Sequence, residues 1–485
     1  MSLSGTIARQ TAIQIAAKAI SVVIGIATIG ALTRYLGQEG YGNYTTVISY
    51  IFFFAVFADL GLYLVTLSEI GKPNTDQLSL FSNAFTIRLC SSILTLIAGA
   101  ALIIVFPYPP VVKQGVAIVC FSTLANLLDQ MDMIILQKNL KLLWSAVAEV
   151  CGKLAILAGT LIAIWKGAPL TAIFIMVVLG YAIHFTINFT GARRILPFTL
   201  RFDFPIWKRI LLTSWPVALS GMFVIIYFKA DTILLSLLRP AETAQREVGI
   251  YGAPYKVLEV LITFPSLFLG MVMPHLSSAF ASSDHARFER IFQKSFDLLT
   301  LITMPLIAGT LVLAEPLMVS IAGKDFVSSA PVLKILIVAT GIIYLTHLSV
   351  YGVIATQQQK RMMPFYIVAA VGAVTAYVLT IPRWSYFGAA WTTVAVELFI
   401  GLAATRIVWR LMHPRLLLNV LLKSTLASIL MALVIYFMHL NLLTGLVIGV
   451  AVYSLVLLLT KGITKAQLAE MLQWRSAPPA PEPPA

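Results

Sequence analysis

IARQTAIQIAAKAISVVIGIATIGALTR, residues 7–34, is the stretch on which the fold turns. Between Arg9 and Arg34 its only charge is Lys18, and the apolar run outlasts the ~20 residues that cross the hydrocarbon of a bilayer. It lacks the basic start, short apolar core and small-residue cleavage site of a secretory signal, so the first helix is expected to stay in the protein. The rest of the chain repeats the pattern. Of its 485 residues 59% are hydrophobic and 11% charged, against about 25% charged in an ordinary soluble domain. A mean hydropathy of +0.91 leaves more apolar surface than one aqueous core can bury, so lipid must solvate most of it.

Scanning for apolar runs bounded by charge, Pro or Gly predicts an all-α integral membrane protein of about fourteen transmembrane helices. The first six cover 7–34, 41–68, 82–106, 111–137, 142–165 and 169–190. The next six cover 208–238, 248–275, 288–313, 328–355, 362–381 and 386–408, and two more cover 417–438 and 441–460. The expected organisation is an N-terminal six-helix bundle (1–192), a cytoplasmic linker (193–207), a second six-helix bundle (208–410) and two additional helices (411–462). A cytoplasmic tail (463–485) ends Pro-rich and disordered.

The net charge of +14 is not gathered into a basic domain, which argues against nucleic acid as a partner. Lys and Arg recur between the apolar stretches. With the N-terminus inside, Lys138, Lys141, Arg193, Arg194, Arg406 and Arg410 fall on the cytoplasmic side together with most other loop cations, while Arg34, Lys113, Lys166, Arg239, Arg246, Lys324 and Arg383 fall outside. Both termini are therefore placed in the cytoplasm. The three cysteines, Cys90, Cys120 and Cys151, lie in apolar segments as an odd set, which reads as packing thiols rather than a disulfide or zinc framework.

Six cations remain inside the spans: Lys18, Arg88, Lys153, Lys229, Lys256 and Lys334. A charge at a helix centre costs about 2.5–3.5 kcal/mol on insertion scales, so such groups face a watery cavity or a partner. Lys18, Lys153, Lys229, Lys256 and Arg88 are candidates to line a substrate cavity. Arg88 and Lys334 are close enough to helix ends to snorkel to the interface. Glu149 with Lys153, and Lys256 with Glu259, stand at pairing distance along one helix. Asp59, Asp231, Glu259, Glu397 and Glu149 are candidates for ion coupling or for pairing, and the two roles stay open. Asp129 and Asp132 are further acids within the spans. His184 and His347 read as hydrogen-bonded packing residues, since no cluster of metal-type ligands surrounds either. Pro216, Pro254, Pro265 and Pro305 mark helices expected to bend.

The chain has no Gly-x-x-x-x-Gly-Lys phosphate loop, no His-Glu-x-x-His and no long extramembrane segment to hold a catalytic domain, so neither a catalytic residue nor a cofactor or metal is expected. Gly42-Asn43-Tyr44 and Gly249-Ile250-Tyr251 open the second helix of each half, a weak internal repeat of the kind transporters carry.

The first two helices also carry Arg34-Tyr35-Leu36-Gly37, Glu39-Gly40-Tyr41-Gly42-Asn43-Tyr44 and Ala58-Asp59-Leu60-Gly61-Leu62. The second half carries Asp231-Thr232-Ile233-Leu234-Leu235, Val248-Gly249-Ile250-Tyr251, Pro274, Gly323-Lys324-Asp325-Phe326 and Tyr386-Phe387-Gly388-Ala389-Ala390. With these motifs the chain resembles the Wzx-type oligosaccharide and polysaccharide flippases, within the superfamily that also holds the multidrug extruders. The resemblance implies two six-helix bundles around a central cavity, rocking between inward-open and outward-open states in a bacterial inner membrane. It implies as substrate an undecaprenyl-diphosphate oligosaccharide, a polyprenyl-diphosphate-linked glycan whose tail stays among the membrane lipids, and as partners a polysaccharide polymerase or assembly complex. The dense N-terminal arginine, asparagine and phenylalanine pattern of lipid II flippases is not evident. A cation-coupled multidrug extruder, a membrane-embedded enzyme of polysaccharide assembly and a scaffold in such a complex are the other readings.

Overall fold

The computed structural model describes residues 3–72 and 75–460. The expected tail 463–485 lies outside the described residues. Those described fold into fourteen α-helices and one 3-10 turn, with no strand among them. They make twelve candidate spans long and apolar enough to cross a membrane, one of them, Ala241–Ala281, made of two successive helices, as befits a multi-pass membrane protein.

The difference between twelve and the fourteen expected spans has a local cause. α1 (Leu3–Asp59, 57 residues) carries the first expected span and most of the second, joined through a kink at Gly37, whose φ of 64° is one that a residue without Cβ adopts freely. α12 (Gln359–Met412, 54 residues) likewise joins two, bending at Ser385 with φ 52°. The eighth expected span is instead split into α8 (Ala241–Leu261) and α9 (Thr263–Ala281). α2 (Leu62–Ile70) completes the second span beyond a left-handed step at Leu60 and Gly61.

The remaining elements follow the apolar runs. They are α3 (Gln77–Leu102), α4 (Pro110–Lys138), α5 (Leu142–Trp165), α6 (Leu170–Ile195), α7 (Phe204–Leu238), α10 (His285–Ala322), the 3-10 turn Lys324–Ser329, α11 (Ala330–Ala355), α13 (Asn419–Phe437) and α14 (Leu442–Leu459). Their starts are chemically marked: Asp76 accepts from the amide of Ser79 at 3.0 Å and Asn441 from that of Thr444 at 3.0 Å, while Pro110 opens α4, where a missing N–H costs nothing.

The described residues cluster into two compact units. The first draws on Met1–Ala253, Ile321–Phe326 and Tyr366–Thr392, the second on Pro254–Ser320, Val327–Phe365 and Thr393–Ala485. In the first unit the segment expected as a cytoplasmic linker, 193–207, is tied to α3 through its backbone while most of its side chains stay exposed. α6 runs on through Arg193 and Arg194, and the amides of Thr199, Arg201 and Asp203 then donate to Ser82 Oγ (3.3 Å), Thr86 Oγ1 (3.0 Å) and Asn83 Oδ1 (2.9 Å) of α3. Phe198 seals it, 3% exposed, with its ring 4.7 Å from Phe81. In the second unit α13 and α14 pack on α10 through Leu301, Leu313, Met431 and Ile435.

Candidate functional site

Lys18 sits in the deciding first stretch, and its ammonium lies 3.0 Å from Glu149 Oε1 of α5, with the two side chains 43% and 22% exposed. The spacing along α5 pairs Glu149 with Lys153; the fold instead closes Glu149 on Lys18 of α1, across the helix interface. Lys153 is half-buried on the same helix. On α7 the Lys229 ammonium stands 5.6 Å from the ring centres of both Phe52 and Phe228, a distance at which aromatic faces attract a cation. Two residues on, Asp231 is fully buried, accepting from the Tyr251 hydroxyl at 2.6 Å and the Thr232 amide at 2.6 Å.

Arg88 departs from its expected behaviour. It does not snorkel: it has no exposed surface and donates to Asp59, to Gln130 Oε1 at 2.7 Å and to the Leu127 carbonyl at 3.1 Å. Its partners fix α3 against α1 and α4. Lys334 is exposed in the second turn of α11. In the second unit Lys256 and Glu259 form the local pair their spacing predicts, at 2.6 Å, and Glu397 of α12 is 6% exposed. Of the two histidines expected as hydrogen-bonded packing residues, His184 has its Nε2 3.5 Å from Asp129 Oδ2, whereas Nδ1 of His347 is buried without a hydrogen-bond partner. Among the described residues no three His, Cys, Asp or Glu side chains are arranged to hold a metal ion.

Most of the short motifs that carried the family resemblance converge on one end of the first unit. Gly42 and Gly249, the repeated glycines, face each other: a Cβ at Gly42 would strike the Gln245 carbonyl, and one at Gly249 the Gln38 carbonyl. The contact is reciprocal, because each carbonyl belongs to the residue four places before the opposite glycine. Beside it, Arg246 Nε donates to Gln38 Oε1 at 2.8 Å and the Gln38 amide to the Asp325 carbonyl. Arg34 donates to the Ile321 carbonyl at 2.8 Å, and Tyr41 meets Phe326 edge-on at 5.9 Å.

Arg239 grips Glu247 with two bonds of 2.6 and 3.1 Å and also donates to the Pro382 carbonyl at 3.1 Å, while Ser385 donates to Glu247. One carboxylate thus holds both the α7–α8 turn and the bend of α12. On that bend, Thr380, Trp384, Phe387, Gly388 and Trp391 line an apolar cleft of 420 Å³. Nearby, the Tyr108 hydroxyl hydrogen-bonds Ser236 at 2.7 Å, and burial pushes its pKa up to about 12, so it remains a neutral phenol. Gln38, Glu247 and Ser385 were not singled out by sequence reasoning, and Arg239 only as a loop cation. The recurrent Gly-x-Tyr and the other short motifs were the signals pointing to this place.

Residues 7–280 match the model of a family described as polysaccharide biosynthesis protein. A Shigella flexneri protein named for O-antigen transport is 26% identical over 314 residues, 60% of this chain and 70% of that protein. Among solved structures, lipid II flippase MurJ in an inward closed conformation aligns with a TM-score of 0.71 at 17% identity, covering 91% of this chain and 96% of that one. An inward-facing multidrug resistance MATE family transporter of the MOP superfamily aligns at 0.65 and 12% identity, covering 83% and 97%. A MOP superfamily transporter from Pyrococcus furiosus aligns at 0.60 and 12%, covering 84% and 96%. The chain therefore has the transporter fold these proteins share.

Proposed function

This chain belongs to the polysaccharide biosynthesis protein family, and from that premise we propose that it is a flippase for lipid-linked oligosaccharides. Its substrate on this reading is an undecaprenyl-diphosphate-linked glycan, carried from the cytoplasmic to the outer leaflet of a bacterial inner membrane by alternating access. The observation that supports it best is Lys18. A cation is kept inside an apolar span, partly exposed, and paired with a carboxylate, Glu149, that a stronger anion can replace. A diphosphate offers more acceptor oxygens and more charge than Glu149, so it competes for the ammonium through charge-assisted hydrogen bonds. Lys229 and Lys153 supply further positive charge from the same unit, while the polyprenyl tail stays in lipid. Arg88 is left out of this set because its donors are committed to Asp59, Gln130 and Leu127.

Direction needs no bound nucleotide. One charge moved through the membrane potential supplies about 2.3 kcal/mol per 100 mV. On this reading the two halves, 1–192 and 208–410, alternate, both termini lie in the cytoplasm, and the knit turns near Gly37 and Ser385 form the outer gate. A polysaccharide polymerase would receive the flipped glycan.

The test is surface-polysaccharide rescue in a bacterial strain lacking its own oligosaccharide flippase, with wild type beside Lys18→Ala, Lys153→Ala and Lys229→Ala at matched expression. Rescue by wild type and loss in the variants is the expected result. Failure with several glycans, combined with a gain of resistance to cationic drugs, would replace this reading with the extruder.

A further inference from the structure

An acidic pair on α4 is used by nothing described so far. Asp129 and Asp132 lie one helical turn apart, the first 8% exposed and the second with no exposed surface. Both oxygens of Asp129 are engaged from α6: Asn188 Nδ2 donates to Oδ1 at 2.8 Å, and His184 Nε2 lies 3.5 Å from Oδ2. Neither oxygen of Asp132 has a hydrogen-bond partner, and neither does Oδ1 of Asn188, itself fully buried. A buried carboxylate left this way costs several kcal/mol if ionised, unless something neutralises it.

The charged and titratable groups on the helices packed against α4 do not supply that neutralisation. From α6, His184 meets Asp129. From α5, Glu149 acts on Asp129 as a second negative charge, while its own partner is Lys18 of α1. From α3, Arg88 is committed to Asp59, Gln130 and Leu127. From α2, the Tyr63 hydroxyl is turned to Gln137. At the end of α6, Arg193 and Arg194 lie over the rings of Phe189 and Trp144. Leu128, Met131, Ile134 and Ile135 of α4 belong to an apolar cluster with Phe81 and Phe85, which leaves the pair in a medium where two carboxylates one turn apart do not both ionise.

We propose that Asp132, with Asp129 and His184, is a proton-carrying site inside the N-terminal helices. Asp132 holds the proton as a neutral carboxylic acid. The proton site does not rest on the flippase reading.

The test is infrared difference spectroscopy on the purified full-length protein in lipid, with bulk pH raised stepwise above the ~4–5 at which exposed carboxyl groups ionise. A carbonyl stretch of protonated carboxylic acid is expected to persist in wild type and to shrink in Asp132→Asn, while Glu397→Gln, which removes a different buried acid, keeps the Asp132 contribution. Asn is neutral and nearly isosteric, so the variant is expected to fold as wild type does. In Asp129→Asn the neighbouring acid is gone, and the band is expected to vanish at lower pH than in wild type. Identical spectra for wild type and Asp132→Asn, or an unmoved titration in Asp129→Asn, would overturn the site while leaving polysaccharide rescue untouched. Failed rescue by wild type would overturn the flippase reading and leave the infrared result standing.

Discussion

Lys18 and Arg88 carry the same formal charge within the first unit, and their surroundings assign them opposite tasks. Arg88 is enclosed by partners 29, 39 and 42 positions away in the chain, so its reach toward an interface, which its place near a helix end suggested, is never used. Lys18 is partly exposed and meets a carboxylate 131 positions away. Two variants should separate these tasks. Arg88→Ala is expected to lower stability by about 3 kcal/mol, the low end for a broken buried pair, because Asp59 keeps some access to solvent. Lys18→Ala is expected to cost less than ~1 kcal/mol, as partly exposed pairs do, yet to abolish polysaccharide rescue. Thermal unfolding in detergent beside the rescue assay reads both. Sequence assigned each of these charges to an apolar span but not to its pair, since a span follows from local hydropathy whereas the pair depends on which helix lies alongside.

Helix bending shows the same division. The prolines at 265 and 305 were legible as breaks, and each deprives the carbonyl four residues earlier of its usual donor. Both carbonyls are satisfied by tyrosines from other helices. Tyr344 of α11 donates to Leu261 at 2.7 Å, where α8 gives way to α9, and Tyr453 of α14 donates to Leu301 at 2.7 Å. In lipid this matters more than in water, because nothing else can occupy the acceptor. Tyr344→Phe and Tyr453→Phe are each expected to lose about 1–3 kcal/mol in reversible unfolding, the cost of an unmet buried acceptor. The second should also loosen α14 from α10, seen as faster amide exchange in 442–459. No single-residue pattern announces such a cap: tyrosine is common in membrane helices, and only the neighbouring helix shows what its hydroxyl is for.

At the scale of the molecule, composition and hydropathy were enough for the class, and the spans were recovered, save that two junctions lacked the loops assumed between them. Gly37 is a turn glycine in plain view. Ser385 is not, because its left-handed backbone is imposed by Glu247 and the Arg239 pair rather than by its own preference. Neutralising that carboxylate with Glu247→Gln should release the bend. Thiol labelling of a cysteine placed at Gln38 is then expected to quicken about tenfold, the effect of ~1.4 kcal/mol on an opening equilibrium. Gly42→Ala should do the same by forcing the glycine crossing apart, at a cost of about 1–3 kcal/mol. The two bends also bear on digestion. A protease needs several residues it can draw out straight into its cleft, and a helix that reverses over one residue offers none. Trypsin added to the intact protein should pass over Arg34 and Arg383 and cut instead in the non-helical segment 413–418, at Arg415. To an enzyme that reads strands of chain rather than contours, the end of the protein around Gly37 and Ser385 is blank.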